Sequence, residues 1–298
     1  MIPYVREMDF KYGRPDQVSP LITRVVADNP GPFTYVGTAT FLVGGQRLAV
    51  IDPGPLLDTH LAALTSAIAG RPVSHIFTTH THADHSPLAH PLKELTGATI
   101  VGRAAPEATS GEAPDEASFR PDIEIADGEV IEGDGWTLEA ILTPGHASNH
   151  VAYRLKEENA LFCGDHVMGW STTVVSPPDG DMSDYYRSLD KVQARGFATL
   201  WPTHGPPIRD VAPFLAGYIE HRLKREAQIV RELGRGPRTI AEMTPRLYIG
   251  VDPRLHGAAS RSMLAHLIHM ARNGVVRADG EPSMDAIYSL PGQVEPFR

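Results

Sequence analysis

Between residues 79 and 85 the chain reads Thr-His-Thr-His-Ala-Asp-His, which places His80, His82, Asp84 and His85 within six positions. Imidazole nitrogens and carboxylate oxygens at this density form the ligand set of a zinc-type metal site. Alternation along an extended segment turns His80 and His82 to one side, where they can share an ion. The chain must then bend for Asp84 and His85 to face a neighbouring ion. Neither set is complete. Three candidates follow downstream: His146 in Thr-Pro-Gly-His, Asp165 in Cys-Gly-Asp-His and His204 in Pro-Thr-His-Gly. Each stands at the end of an expected strand beside Gly or Pro, where strand ends gather distant residues and glycine admits a close backbone approach. A bare His-x-His pattern is a weak signal. Three imidazoles packed together, however, are hard to satisfy mutually without a metal.

These residues need a scaffold. Apolar runs at 38–43 and 48–51 flank Gly44-Gly45 and read as a hairpin. Residues 56–69 have helical spacing and end at Gly70, and 73–78 form a strand running into the histidine cluster. A helix at 87–95, a strand at 98–101 and an Ala/Pro/Glu-rich loop at 104–118 come next, followed by strands at 136–142, 151–155 and 160–163. Ser183 is placed to cap a helix running to Arg195, ahead of a short strand at 199–201.

After residue 211 the pattern changes. A long amphipathic helix at 212–233, a short helix at 239–247, a helix at 256–273 and strands at 275–277 and 286–290 follow. Helix, helix, helix, hairpin is the order of a winged helix. We therefore expect a catalytic domain over 1–211 and a small domain over 212–298. His266 and His269, three apart, are expected on the solvated face of the last helix. Cys163, on a strand two residues before Asp165, reads as a small buried filler rather than a nucleophile.

The net charge of −9 does not suit a surface that grips nucleic acid throughout. The charge is uneven: residues 216–298 carry 12 Lys and Arg against 9 Asp and Glu, a net of +3, which leaves −12 for the remainder. That marks the tail as distinct and hints weakly at an anionic partner there. No apolar run of membrane-spanning length occurs. Arg6, Glu7 and Asp9 stand where a secretion signal would need an apolar core, and a single cysteine allows no internal disulfide. A cytoplasmic protein is the expectation.

The cluster H-x-H-x-D-H, the single His, Asp and His downstream and the early Asp52 in Val-Ile-Asp-Pro-Gly resemble the metallo-beta-lactamase superfamily over roughly residues 20–210. The resemblance implies a four-layer αββα sandwich with the metals at one edge of its sheets. By position, His80, His82 and His146 would bind one ion, Asp84, His85 and His204 a second, and Asp165 would bridge them. Asp52 would support the turn or the ligands rather than bind metal. Many members have Gly-Gly after the cluster; Ser86-Pro87 stands here. Two zinc ions per chain are implied, with manganese or iron as alternatives, since the di-iron flavoproteins of this fold carry Glu where this chain has His82. A shared water, its pKa lowered towards neutrality, would supply a bridging hydroxide. Asp84 would orient that nucleophile or accept its proton. His150 and His166, beside ligands, would serve as hydrogen-bond partners to them or aid the leaving group.

Residues 169–189 and the winged helix resemble the beta-lactamase-like protein 2 group, which includes eukaryotic endoribonucleases. Thr172, Thr173, Tyr185 and Tyr186 would touch substrate if that segment lines the site. The bridging Asp165 argues against beta-lactamase chemistry as the main task, leaving it or lactonase chemistry as a side activity. The glutathione-binding helices of glyoxalase II do not resemble this tail. The expectation is a metal-dependent hydrolase of an ester, thioester, lactam or other amide, or of the phosphodiesters of single-stranded RNA. It has no membrane partner, and a homodimer is an option. The rival is a non-catalytic module that binds nucleic acid or a protein partner and holds structural metals. Structural sites are closed by four ligands and have no use for a bridged water.

Overall fold

The computed structural model describes residues 2–105 and 119–293. The loop expected at 104–118 therefore lies, from residue 106 on, outside the described residues. The first sheet has seven strands in the order β1-β2-β3-β4-β5-β6-β7. These are Asp16–Gln17, Ile22–Val26, Ala39–Val43, Leu48–Ile51, Val73–Phe77, Thr99–Gly102 and Ile123–Glu124. Strands β1 to β4 pair antiparallel, and β4 to β7 pair parallel. Parallel neighbours need a crossover. Helix α1 (Asp58–Ile68) supplies it between β4 and β5, and α2 (Ala89–Thr96) between β5 and β6.

The second sheet runs β12-β11-β10-β9-β8. Its strands are β8 (Val130–Glu132), β9 (Thr137–Leu142), β10 (Val151–Leu155), β11 (Ala160–Gly164) and β12 (Thr199–Pro202). Only β11 and β12 are parallel, joined through α3 (Met182–Arg195). Asp181 caps α3, accepting from the N–H groups of Ser183 and Asp184, so the cap sits two residues before the expected Ser183.

Period-two alternation explains the layering. Phe41 and Val43 of β3, Phe77 of β5, Tyr153 of β10 and Phe162 of β11 fill the space between the sheets. Leu42, Leu48, Val50 and Ile76 face the other way, under α1 and α2. Ala152, Leu161 and Cys163 face outward beneath α3 and the long helix α4 (Val211–Leu233). The result is the αββα sandwich expected from the resemblance.

Helix α4 belongs to two cores. Its first half puts Phe214, Leu215 and Tyr218 onto the second sheet, while Ile229 and Leu233 enter the core of the C-terminal unit. That unit continues with β13 (Arg238–Thr239), α5 (Ile240–Leu247), α6 (His256–Arg272), β14 (Arg277–Ala278) and β15 (Ile287–Ser289). The expected hairpin is present but shorter, and β13 makes it a three-stranded sheet. Thr239 caps α5 in a reciprocal box with Glu242.

The expectation for His266 is corrected. Its side chain is 1% exposed and bonds Glu226 at 3.1 Å, because α6 turns this face onto α3 and α4 instead of solvent. His269 meets Ser183 Oγ at 2.8 Å across the same contact. Tyr218 also ties α4 to the sandwich: its hydroxyl accepts the Met168 N–H at 3.0 Å and contacts the Ser171 carbonyl. Tyr218→Phe leaves that buried N–H unpaired and should cost about 1–3 kcal/mol of stability in urea unfolding. An unchanged midpoint and slope would contradict this role.

Candidate metal centre

Strand β5 ends at Phe77, and the next residues carry the cluster. A tight turn follows, in which His85 N–H donates to the His82 carbonyl at 2.9 Å and Ser86 Oγ to the Thr81 carbonyl at 3.1 Å. Ser86 thus closes this turn through its own side chain. Beneath it lies Asp52, fully buried at the end of β4, with φ +48°, a left-handed conformation that Asp tolerates. Its Oδ1 accepts the Thr79 N–H at 2.7 Å, and its Oδ2 accepts from Thr79 Oγ1 at 2.9 Å and Thr203 Oγ1 at 2.8 Å. The same Oδ2 meets His85 Nδ1 at 2.8 Å. A carboxylate at Nδ1 keeps a proton there and leaves Nε2 as the nitrogen that could bind a metal.

The seven ligand candidates converge in two groups. His80 Nε2 lies 2.8 Å from His82 Nδ1, and His146 Nε2 lies 3.1 Å from the same atom. Tetrahedral zinc with about 2.0–2.1 Å bonds would separate such nitrogens by about 3.3 Å, so little movement is needed. His146 is aimed by its Nδ1–H, which donates to the Val174 carbonyl at 2.6 Å. In the second group, His204 Nε2 is 3.0 Å from Asp84 Oδ2, and His85 Nε2 is 3.7 Å from Asp84 Oδ1. Asp165 stands between the groups. Its Oδ2 is 3.6 Å from His146 Nε2, while its Oδ1 is 3.4 Å from His204 Nε2 and 3.5 Å from His85 Nε2. One oxygen towards each triad is the geometry a bridging carboxylate needs. His85 Nε2, His204 Nε2 and Asp165 Oδ1 are buried and make no hydrogen bond among the described residues. Converging, unpartnered ligand atoms of zinc-type chemistry fit a metal ion.

The two groups differ electrostatically. Burial, reinforced by neighbouring imidazoles, holds His80 well below the usual histidine range, and burial lowers His82 and, to about 4, His146. Their lone pairs are free at neutral pH. Burial also opposes charge on His85 and His204, but carboxylates outweigh it and raise both. These are Asp84, Asp165 and Asp52 around His85, and Asp165 and Asp84 beside His204. The same two imidazoles in turn keep Asp84 and Asp165 ionised despite burial. A metal entering the second group must displace protons, so its affinity there rises with pH.

The supporting residues divide by position. His150 accepts the Asp165 N–H at 3.2 Å and meets Thr143 Oγ1 at 2.8 Å, so it holds backbone and does not face substrate. Gly164 makes this approach possible: a Cβ there would come within 2.5 Å of His150 Nε2. A Cβ at Gly145 would lie 2.4 Å from the Tyr185 backbone, so the loop carrying His146 can seat on α3 only with glycine. Thr173 Oγ1 donates to the carbonyls of Asp165 (2.9 Å) and His166 (3.1 Å). The buried His166 ring packs on Tyr185 with centroids 5.2 Å apart. Tyr185 donates to the His166 carbonyl at 2.7 Å, whereas Tyr186 turns away to Glu226 at 3.0 Å. Of the four residues expected near substrate, Thr172 and Thr173 line a cleft and the two tyrosines do not. Cys163 is fully buried, donates to the Val167 carbonyl and has its pKa pushed up by burial, which leaves no nucleophile.

Sequence reasoning did not single out Arg222, 3% exposed on α4, whose Nη2 donates to the Thr173 carbonyl at 2.5 Å. The signal was available: an arginine stands seven residues from Leu215 and from Ile229, on the stripe that packs inward. Thr79 and Thr203, both bonded to Asp52, carried no such signal. Asp52→Asn should weaken metal binding at the His85 group about 10–100-fold, measured by chelator competition, because an amide holds that tautomer less firmly. Unchanged affinity at the His85 group in the variant would contradict the role given to Asp52.

Comparison with known proteins agrees with this geometry. A family model described as "Metallo-beta-lactamase superfamily" matches residues 33–204, and one described as "Beta-lactamase associated winged helix domain" matches residues 239–285. A beta-lactamase-like protein 2 homolog of Caenorhabditis elegans is 33% identical over 266 residues, covering 88% of each chain. An atrochrysone carboxyl ACP thioesterase of Paecilomyces divaricatus is 34% identical over 226 residues, covering 74% of this chain and 67% of its own. The crystal structure of a metallo-beta-lactamase family protein from Thermus thermophilus superposes with a TM-score of 0.75 at 24% identity, covering 92% of this chain and all of the other. With the sandwich, the clustered ligand candidates and these matches together, the chain belongs to the metallo-beta-lactamase superfamily, as a hydrolase with a C-terminal winged helix.

Proposed function

We propose that the protein hydrolyses acyl thioesters at a centre of two zinc ions. One observation carries the reading: Thr173 and Val174, which bond the Asp165 carbonyl and the His146 ring, line a cleft that has, among the described residues, no Lys or Arg. A phosphodiester backbone needs cations along its path, and an acyl group does not. The names of several relatives, 32–34% identical and called ACP thioesterases, support the same bond type.

His80, His82 and His146 would hold one ion, and Asp84, His85 and His204 the other, with Asp165 shared. Bound there, the ions would supply an acidified water and charge stabilisation for a carbonyl oxygen. The protein's part is to hold and position. Asp84 is the most open of the carboxylates around the triads, its side chain 27% exposed against 8% for Asp165. It stays ionised beside His85 and His204, so one oxygen can orient a water or accept its proton. His150 and Thr173 fix the backbone that carries Asp165, keeping its two oxygens aimed apart. Thiolates leave readily, so no separate acid is required near the leaving sulfur.

Zinc-loaded protein should hydrolyse acyl thioesters in preference to single-stranded RNA, a lactone or a beta-lactam. Asp84→Asn should lower kcat about 10²–10⁴-fold with the fold retained. RNA cleavage without thioester turnover, or an Asp84→Asn variant with full activity, would overturn the reading.

A further inference from the structure

The cleft beside the centre has a volume of about 210 Å³. At about 30 Å³ per methylene-sized group, the share of one molecule in liquid water, it holds about seven. Phe33, Trp170 and Val174 form the wall on the sandwich side, and Tyr248, Leu255 and Ala259 form the wall on the winged-helix side. Among the described residues the lining contains no acidic or basic side chain, and its polar groups are mainly serine and threonine hydroxyls. A charged tail buried there would lose its hydration without a partner, whereas for an alkyl chain leaving water is favourable. The sandwich-side wall touches the residues that carry the metal ligands. The Val174 carbonyl accepts His146 Nδ1–H, and Trp170 stacks on Tyr35 at 4.8 Å while packing against Gly205, beside His204.

Both walls hang on one helix. Arg222 of α4 donates to the Thr173 carbonyl at 2.5 Å and lies over the Tyr185 ring, 5.0 Å from its centroid. Three residues on, Arg225 donates to the Leu247 carbonyl at 2.5 Å and lies 3.9 Å over the Tyr248 ring. Neighbouring arginines on one helix therefore fix opposite sides of the cleft, and its width is a property of the sandwich and winged helix together. Thr173 and Val174 belong both to this wall and to the contacts that hold Asp165 and His146, which puts the cleft within a few residues of the metal ligands. We propose that the interdomain cleft is the subsite for the acyl chain, that it takes about seven carbons beyond the carbonyl, or about eight in all, and that the winged helix sets this limit through the cleft-lining Ala258 and Ala259. The inference rests on the thioester reading for the group at the metals, and on the cleft itself for the chain.

Binding can be separated from turnover. Straight-chain carboxylates of about two to fourteen carbons are titrated into zinc-loaded protein, read by calorimetry and by the fluorescence of cleft-lining Trp170. Affinity should rise about four-fold per methylene and level off near eight carbons. Ala259→Leu and, independently, Ala258→Leu should each move the plateau about three carbons shorter. Affinity independent of chain length, or folded variants with the wild-type curve, would overturn the subsite. A length-dependent curve in a protein that cleaves no acyl thioester would uphold the subsite and overturn the thioester reading.

Discussion

Carboxylates in a dry interior must be matched by cations or donors, and the centre of this protein is organised by that requirement. Asp52 is fully buried and Asp165 nearly so, and Asp84 lies within reach of both His85 and His204. Leaving such charges unpaired costs several kcal/mol each. Asp52 is satisfied by Thr79, Thr203 and His85. Among the described residues, Asp84 and Asp165 are faced by imidazoles, which must carry protons to balance them unless a metal takes the protons' place. The site's affinity for cations follows from the same burial that makes its charges costly.

Each sheet contributes to that centre through its strand ends. Strands β4 and β5 deliver Asp52 and the 80–85 turn, while β9, β11 and β12 lead into His146, Asp165 and His204. The aromatic layer of Phe41, Phe77, Tyr153 and Phe162 fixes the spacing of the sheets, and thereby the distance between the triads. Helix α4 extends the arrangement outward. Its first half packs on the second sheet, its second half enters the core of the winged helix, and its arginines between them support the cleft.

The sequence was most legible where chemistry and periodicity coincide. His80, His82, Asp84 and His85 declare themselves by type and spacing, and His146, Asp165 and His204 by their place after strands. The structure brings all seven together. The long helices were legible from their stripes. Short strands such as β13, two residues long, offer no alternation to read, and Asp181 was passed over as a cap for the nearer Ser183. His266 was misjudged because a polar residue on a helix surface looks solvated until a second helix covers it. The cleft was invisible because its walls come from segments more than two hundred residues apart, Phe33 and Ala259 among them. Hydrogen bonds to backbone carbonyls, such as that of His146 to Val174, leave no mark in side-chain pattern.

The central claim is that Asp165 joins two metal positions. Anomalous diffraction from crystals of the zinc-loaded protein tests it most directly. The account predicts two peaks, one within bonding distance of His80, His82 and His146 and the other of Asp84, His85 and His204, with an Asp165 oxygen about 2.0–2.2 Å from each. A single peak at full zinc loading, or two peaks with Asp165 bound to neither, would contradict it.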